Sequence, residues 1–349
     1  MRINNQEDTY GGTYVTKKLF LVAAVTLLAA TSSLAQKING AGATFPYPIY
    51  SKWFSEFSGA NSGVQINYQS IGSGGGIRQV TTGTVDFGAS DAPMTDEQLA
   101  QSKVKLLHLP TVLGAVVPIY NLPGVSQKLK FAPDVLADIY LGKITSWNDA
   151  RLAKDNPGVQ LPNQEVFVVH RSDGSGTTYI FTDYLSKVSN DWKNGPGKGG
   201  AVNWPKGIGG KGNEAIAGMV RQTPGAIGYV ELIYAMQNKI AYGEIRNAAG
   251  TWVSATIDGV TEAAASMKTM PADYRVSITN APGKNAYPIS SFTWLLIPVK
   301  AQDPAKGKAI KDFLIWMVDH GQAEAGALYY APLPKAVADK VKASIATLQ

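Results

Sequence analysis

The 349-residue sequence contains no cysteine, which excludes disulfides, thiolate metal sites and a lipid carried on a cysteine at a processed N-terminus. Its three histidines, His108, His170 and His320, share no metal-ligand spacing, so no metal or other cofactor is expected. No apolar run reaches the roughly twenty residues of a membrane-spanning helix. Basic clusters are missing as well. The net charge is +6, and because residues 1–35 hold three basic and two acidic side chains, about +5 falls on the remainder. The lysines are scattered, with no five-residue basic run and no interleaved aromatic stripe, which argues against nucleic acid as a partner. A mild positive balance favours encounter with anions without identifying one.

What is present begins with an export pattern. Lys17 and Lys18 precede an almost wholly apolar run of about twelve residues, Leu19 to Ala30, and Ser33-Leu34-Ala35 offers small residues where a signal peptidase reads. Cleavage after Ala35 is expected, releasing a periplasmic protein that begins at Gln36. The 314 residues that follow Ala35 exceed what one hydrophobic core usually serves, so two lobes are the default expectation.

Short apolar runs alternate with amphipathic helical stretches, the pattern of an α/β protein. Strands are expected at Val64–Ile71, Leu106–Leu109, Gly114–Tyr120, Val166–His170, Ala226–Tyr229 and Phe292–Val299. Helices are expected at Pro48–Phe57, with Ile49, Trp53 and Phe57 on one face, and near the C-terminus, where Ile310, Phe313, Leu314 and Met317 follow half-buried helical spacing. The glycine- and lysine-dense segment 193–212 reads as an exposed loop. It lacks the GxxxxGK[ST] spacing of a nucleotide loop.

Three glycine- and hydroxyl-rich turns each precede a helical stretch: Gly40-Ala41-Gly42-Ala43-Thr44-Phe45-Pro46, Ile71-Gly72-Ser73-Gly74-Gly75-Gly76 and Arg171-Ser172-Asp173-Gly174-Ser175-Gly176-Thr177. Free N–H groups in a helix's first turn carry partial positive charge and bind oxyanions. Ser and Thr add donors, and Arg171 adds a planar fork for two oxygens. Any one of these turns is equally well a tight turn with a helix cap; three together, one beside an arginine, favour an anion site. Asp91 would repel an anion unless that anion carries a proton to give, as phosphate does at neutral pH and sulfate does not; a plain helix cap is the alternative. Asp173 either pairs with Arg171 or simply serves its turn. Gly174-Ser175-Gly176 is not the G-x-S-x-G elbow of a hydrolase, and no histidine follows at a telling distance.

With these turns, and with Val85–Pro93, Asp138–Trp147, Gly209–Asn213 and Pro224–Glu231, the sequence resembles the periplasmic phosphate-binding proteins of high-affinity phosphate ABC transporters. The resemblance implies a two-lobed periplasmic binding protein fold, each lobe a mixed sheet flanked by helices, joined by two crossing strands, with 36–113 plus 290–349 as one lobe and 114–289 as the other. It implies inorganic phosphate held without metal in the cleft by Thr44, the Phe45 backbone, Ser73, Asp91, Arg171, Ser175, the Gly176 backbone and Thr177, with Asp173 steadying Arg171. The partners implied are a membrane permease and an ATPase, and a monomer is expected. Gly74 stands where the family often has Ser, and His170 where it often has Arg; neither is expected to touch the ligand. A scavenger or adhesin that has lost its transporter is the alternative, with a phosphatase more remote because an activated nucleophile is missing.

Overall fold

Apolar runs broken by glycine turns form strands, and the amphipathic stretches between them pack as helices on the resulting sheet. The computed structural model describes Met1 and residues 35–349; the expected export signal lies outside the described residues. Residues 36–349 form one compact unit of mixed α/β architecture.

The strands are β1 (Gln36–Gly42), β2 (Val64–Ser70), β3 (Phe87–Ser90), β4 (Leu106–Tyr120), β5 (Lys130–Phe131), β6 (Phe167–Arg171), β7 (Ile208–Gly210), β8 (Ala226–Glu231), β9 (Ala241–Tyr242), β10 (Glu244–Arg246), β11 (Trp252–Val253) and β12 (Ser290–Pro298). The main sheet runs β2-β1-β3-β12-β4-β8-β6-β7, with β9 also on β4, and β11-β10-β5 form a small separate sheet. β1 is parallel to β2 and β3, whereas β12 is antiparallel to β3 and β4.

β4 links the two halves of the main sheet. Its residues 106–115 pair with β12, after which residues 116–120 pair with β8, Val116 facing Glu231 and Tyr120 facing Ile227. The sequence suggests two strands here, broken near Pro110; instead one 15-residue strand runs through. Proline lacks an N–H, and the ladder accommodates it with a bulge: Thr293 faces Val112, but Trp294 already faces Pro110.

Helix Tyr47–Ala60 buries Ile49, Trp53 and Phe57, and helix Pro304–Asp319 buries Ile310, Phe313, Leu314 and Met317, as their spacing predicts. The two meet through Phe54 and Phe57 against Phe313, with ring centroids 5.1 and 5.5 Å apart. Each such side chain contributes roughly 1.5–3 kcal/mol by burial. Beyond β4, Tyr140, Phe181 and Tyr229 form another aromatic cluster of the same continuous core, the last two stacked at 4.4 Å. Segment 193–212 is no bare loop, because Trp204 stacks on His170 at 4.8 Å, β7 extends the sheet and the Gly200 carbonyl accepts from Ser175 N at 2.8 Å. Its one tryptophan anchors a stretch whose glycines and lysines otherwise signal exposure.

Candidate anion-binding site

Each of the three turns leads from a strand to a helix, and their ends meet. Thr44 and Phe45 follow β1, Ser73 opens helix Ser73–Thr82 after β2, and Ser175 to Thr177 open helix Gly176–Val188 after β6. Asp91 follows β3, and Arg171 ends β6. Thr44, Phe45, Ser73, Asp91, Arg171, Ser175, Gly176 and Thr177 are all buried, and Asp173 is partly exposed.

Hydrogen bonds link these residues into one network. Ser73 Oγ accepts from Gly176 N and from Asp91 N, both at 3.1 Å, and lies 3.5 Å from Asp91 Oδ2. Arg171 Nη1 donates to Thr44 Oγ1 at 3.3 Å, while its Nε donates to Asp173 Oδ1 at 2.7 Å. Asn213 Nδ2 donates to both Thr44 Oγ1 and Thr177 Oγ1, at 2.7 and 3.1 Å. Gly74 N donates to Gly174 O at 2.8 Å, a main-chain bond between two of the turns. A Cβ on Gly174 would fall 3.1 Å from Gly74 Cα, so both turns approach at close range. Gly176 has less room still: a Cβ there would meet Ser73 Oγ and stand 2.5 Å from Asp91 Oδ2.

The helix-cap reading holds at only one turn. Ser175 Oγ accepts from Thr178 N at 3.0 Å, whereas the helices at Tyr47 and Ser73 have no side-chain cap. A terminus without a side-chain cap has N–H groups to offer an anion, beyond those already committed, as Gly74 N is to Gly174 O and Tyr47 N to Thr44 O. Asp91 caps nothing either, since Thr95 caps the following helix. Its Oδ1 accepts from Thr293 Oγ1 at 2.8 Å, leaving Oδ2 toward Ser73 and Gly176.

Burial pushes the Asp91 carboxyl up to about 7, opposed by the Thr293 hydroxyl, the Arg171 guanidinium and Ser73. Burial acts on Asp173 in the same direction, yet its bonds from Arg171 and Gly212 N hold it below the ordinary carboxylate range. One carboxyl in this cleft is thus poised near neutrality while the other stays charged beside its arginine. Of the three histidines only His170 touches the network, its Nδ1 lying 3.1 Å from the Arg171 carbonyl oxygen. His108 Nε2 accepts from Met94 N, with burial driving its pKa down to about 4; His170 lies on Trp204, and His320 follows the helix Pro304–Asp319.

Sequence reasoning missed four residues that orient the others. Tyr229 OH accepts from Arg171 N and bonds Thr178 Oγ1 at 2.6 Å, fixing both the end of β6 and the start of the helix. Tyr234 OH donates to Thr44 O. Thr293, aimed by the β4–β12 bulge, holds Asp91, and Asn213 holds two threonines. A lone polar residue inside the apolar run Phe292–Val299 was the available signal for Thr293, Asn213 and Tyr229 lie in the resembling stretches Gly209–Asn213 and Pro224–Glu231, and nothing local marks Tyr234.

Buried hydroxyl, guanidinium and carboxyl groups gathered where strand-to-helix turns of an α/β sheet meet are what a solute-binding protein offers its ligand, and a PBP superfamily domain matches residues 28–320. The chain is 46% identical over 316 residues to phosphate-binding protein PstS of Xylella fastidiosa (strain Temecula1), covering 90% of this chain and 86% of that one. It is 45% identical over 331 residues to phosphate-binding protein PstS of Pasteurella multocida, covering 94% and 95%. A high affinity periplasmic phosphate-binding protein (PfluDING) solved with bound phosphate has the same fold, with a TM-score of 0.71 at 21% identity over 88% of this chain and 93% of that one. The chain belongs to the PstS family of phosphate-binding proteins.

Proposed function

We propose that this protein captures inorganic phosphate between its lobes and delivers it to the permease and ATPase of an ABC-type phosphate importer. The observation that carries the reading is the buried, hydrogen-bonded cluster that joins Thr44, Ser73, Arg171, Gly176 and Thr177 with Asp91. The ligands are Thr44 Oγ1, the Phe45 N–H, Ser73 Oγ, Arg171, Ser175 Oγ, the Gly176 N–H and Thr177 Oγ1, with Asp91 accepting one proton from the anion and Asp173 steadying the guanidinium. Only an ion with several accepting oxygens and one proton to give satisfies such a set. Lobes of 36–113 plus 290–349 and of 114–289 would close by a hinge motion about β4 and β12. Export with cleavage after Ala35, and action as a monomer, complete the reading.

Binding without turnover is favoured by the site's own chemistry. Ser175 Oγ is engaged by Thr178 N, and no histidine stands by as its base. Calorimetric titration of protein beginning at Gln36, stripped of endogenous ligand, with phosphate, sulfate and nitrate tests the proposal. Phosphate is expected to bind alone with high affinity, and equal or absent binding of all three overturns it. Release of phosphate from a phosphate ester would overturn the non-enzymatic reading.

A further inference from the structure

Two of the proposed threonine ligands are made to accept before they can donate. Thr44 Oγ1 receives the Asn213 side-chain amide at 2.7 Å, and the Asn213 main-chain N–H and Arg171 Nη1 at 3.3 Å each. Thr177 Oγ1 receives the same Asn213 Nδ2 at 3.1 Å, so both amide hydrogens are used. An amide or guanidinium nitrogen offers no lone pair to a hydroxyl, so neither threonine can turn its proton toward these neighbours. The amide cannot flip to relax this arrangement. Asn213 Oδ1 accepts from the Glu231 main-chain N–H at 3.0 Å, and a main-chain N–H can only donate, which leaves the NH2 edge facing the two threonines. Asn213 is wholly buried, so water does not compete for the amide.

We propose that Asn213 is a positioning residue for the bound anion: its amide, keyed by the Glu231 N–H, sets the proton polarity of Thr44 and Thr177 so that both hydroxyls point their hydrogens at the oxyanion. The inference rests on the phosphate-binding reading above. A freely rotating hydroxyl presents an oxyanion with either its proton or its lone pairs, and only the first attracts. Thr44 follows β1 and Thr177 opens the helix after β6, so one amide serves hydroxyls from two separate turns. The local backbone is built for this reach. Gly212 sits at φ +78°, where a Cβ would come within 2.5 Å of Glu214 Oε2, and it starts the helix that carries Asn213 directly against Thr44.

Two substitutions separate this role from simple packing. Asn213→Asp keeps the shape and the acceptor for Glu231 N–H but replaces the donor edge with lone pairs, while Asn213→Ala removes the donors and leaves a void. Polarity setting ranks Asp below Ala in phosphate affinity, with losses of at least about a hundredfold and tenfold; a packing role ranks them in reverse. Thr177→Val completes a double-mutant cycle with Asn213→Ala, measured by calorimetry with inorganic phosphate. If Asn213 acts through the two hydroxyls, the double variant loses less than the product of the two single losses, what remains of the Asn213 effect being the share carried by Thr44. Losses that multiply, an Asp variant that binds more tightly than the Ala variant, or wild-type affinity in Asn213→Ala would each overturn the inference and leave the phosphate reading standing. Absence of phosphate binding by the unaltered protein would overturn the reading itself and this inference with it. Should Asn213→Ala fail to fold, Asn213→Asp with Thr177→Val supplies the same cycle.

Discussion

Selectivity between phosphate and sulfate should depend on pH through Asp91, and the structure sets the size of the effect. Sulfate has no proton to donate, so it can face Asp91 Oδ2 only when the carboxyl itself is protonated. Burial places that titration at about 7. Above it, sulfate affinity should fall about tenfold per pH unit, because each bound sulfate must take up one proton. At pH 8.5 the loss relative to pH 5.5 is then about thirtyfold, or roughly 2 kcal/mol. Phosphate carries a proton of its own across this range and should change far less. In Asp91→Asn the side chain keeps its shape, can still be bonded by Thr293 and offers N–H toward the anion at every pH. Its sulfate affinity should be flat with pH, and at pH 8.5 the ratio of sulfate to phosphate affinity should exceed that of wild type at least tenfold. Calorimetric titration of both ions into both proteins at pH 5.5, 7.0 and 8.5, at constant ionic strength, provides the measurement. A sulfate affinity independent of pH in wild type, with the same ratio of dissociation constants in Asp91→Asn, would refute the reasoning and assign discrimination to another group.

Without ligand, the same carboxyl should make stability depend on pH: folding raises its pKa from 3.8 to about 7, so its contribution is fully present below 3.8, declines as pH rises and is gone above about 7. The difference is on the order of 4 kcal/mol at most, and denaturation curves of Asp91→Asn should lack this component. Phosphate at a thousandfold excess over its dissociation constant should add about 4 kcal/mol of stability, and an unchanged melting temperature at millimolar phosphate would contradict binding. Arg171→Ala should weaken phosphate binding by at least about a hundredfold, since it removes a charged two-pronged donor and leaves Asp173 unpaired; affinity within twofold of wild type would remove Arg171 from the site. Gly176→Ala should hold the lobes apart by placing a methyl against Ser73 and Asp91, and small-angle scattering should then show no fall in radius of gyration on adding phosphate.

The helical faces and the meeting of the three glycine-rich turns with their helices were legible because each is written in a few consecutive residues. Ile49, Trp53 and Phe57 share a helix face, and Arg171 to Thr177 hold an arginine, three hydroxyls and the glycines of one turn. What stayed hidden is what distant segments supply to one another. Thr293 meets Asp91 across 202 residues of chain and Asn213 meets Thr44 across 169, so no local pattern connects them. The continuity of β4 through Pro110 was also illegible, because a proline that ends a strand and one that sits at a bulge look alike until the partner strand is known. Trp204 shows the converse case, in which one aromatic outweighs the loop-like composition around it.

The proposed grip divides unevenly between the chain's backbone and its side chains. An N–H such as that of Phe45 or the first turn of a helix survives almost any substitution, because every residue but proline brings one. The Asp91 carboxylate is a single side chain that one nucleotide change can convert to asparagine. The main-chain share of the grip is therefore mutationally robust, whereas the Arg171 share and the refusal of the wrong ion each hang on a single codon. Under relaxed selection, lineages carrying this cleft should lose discrimination while the main-chain contribution to binding persists.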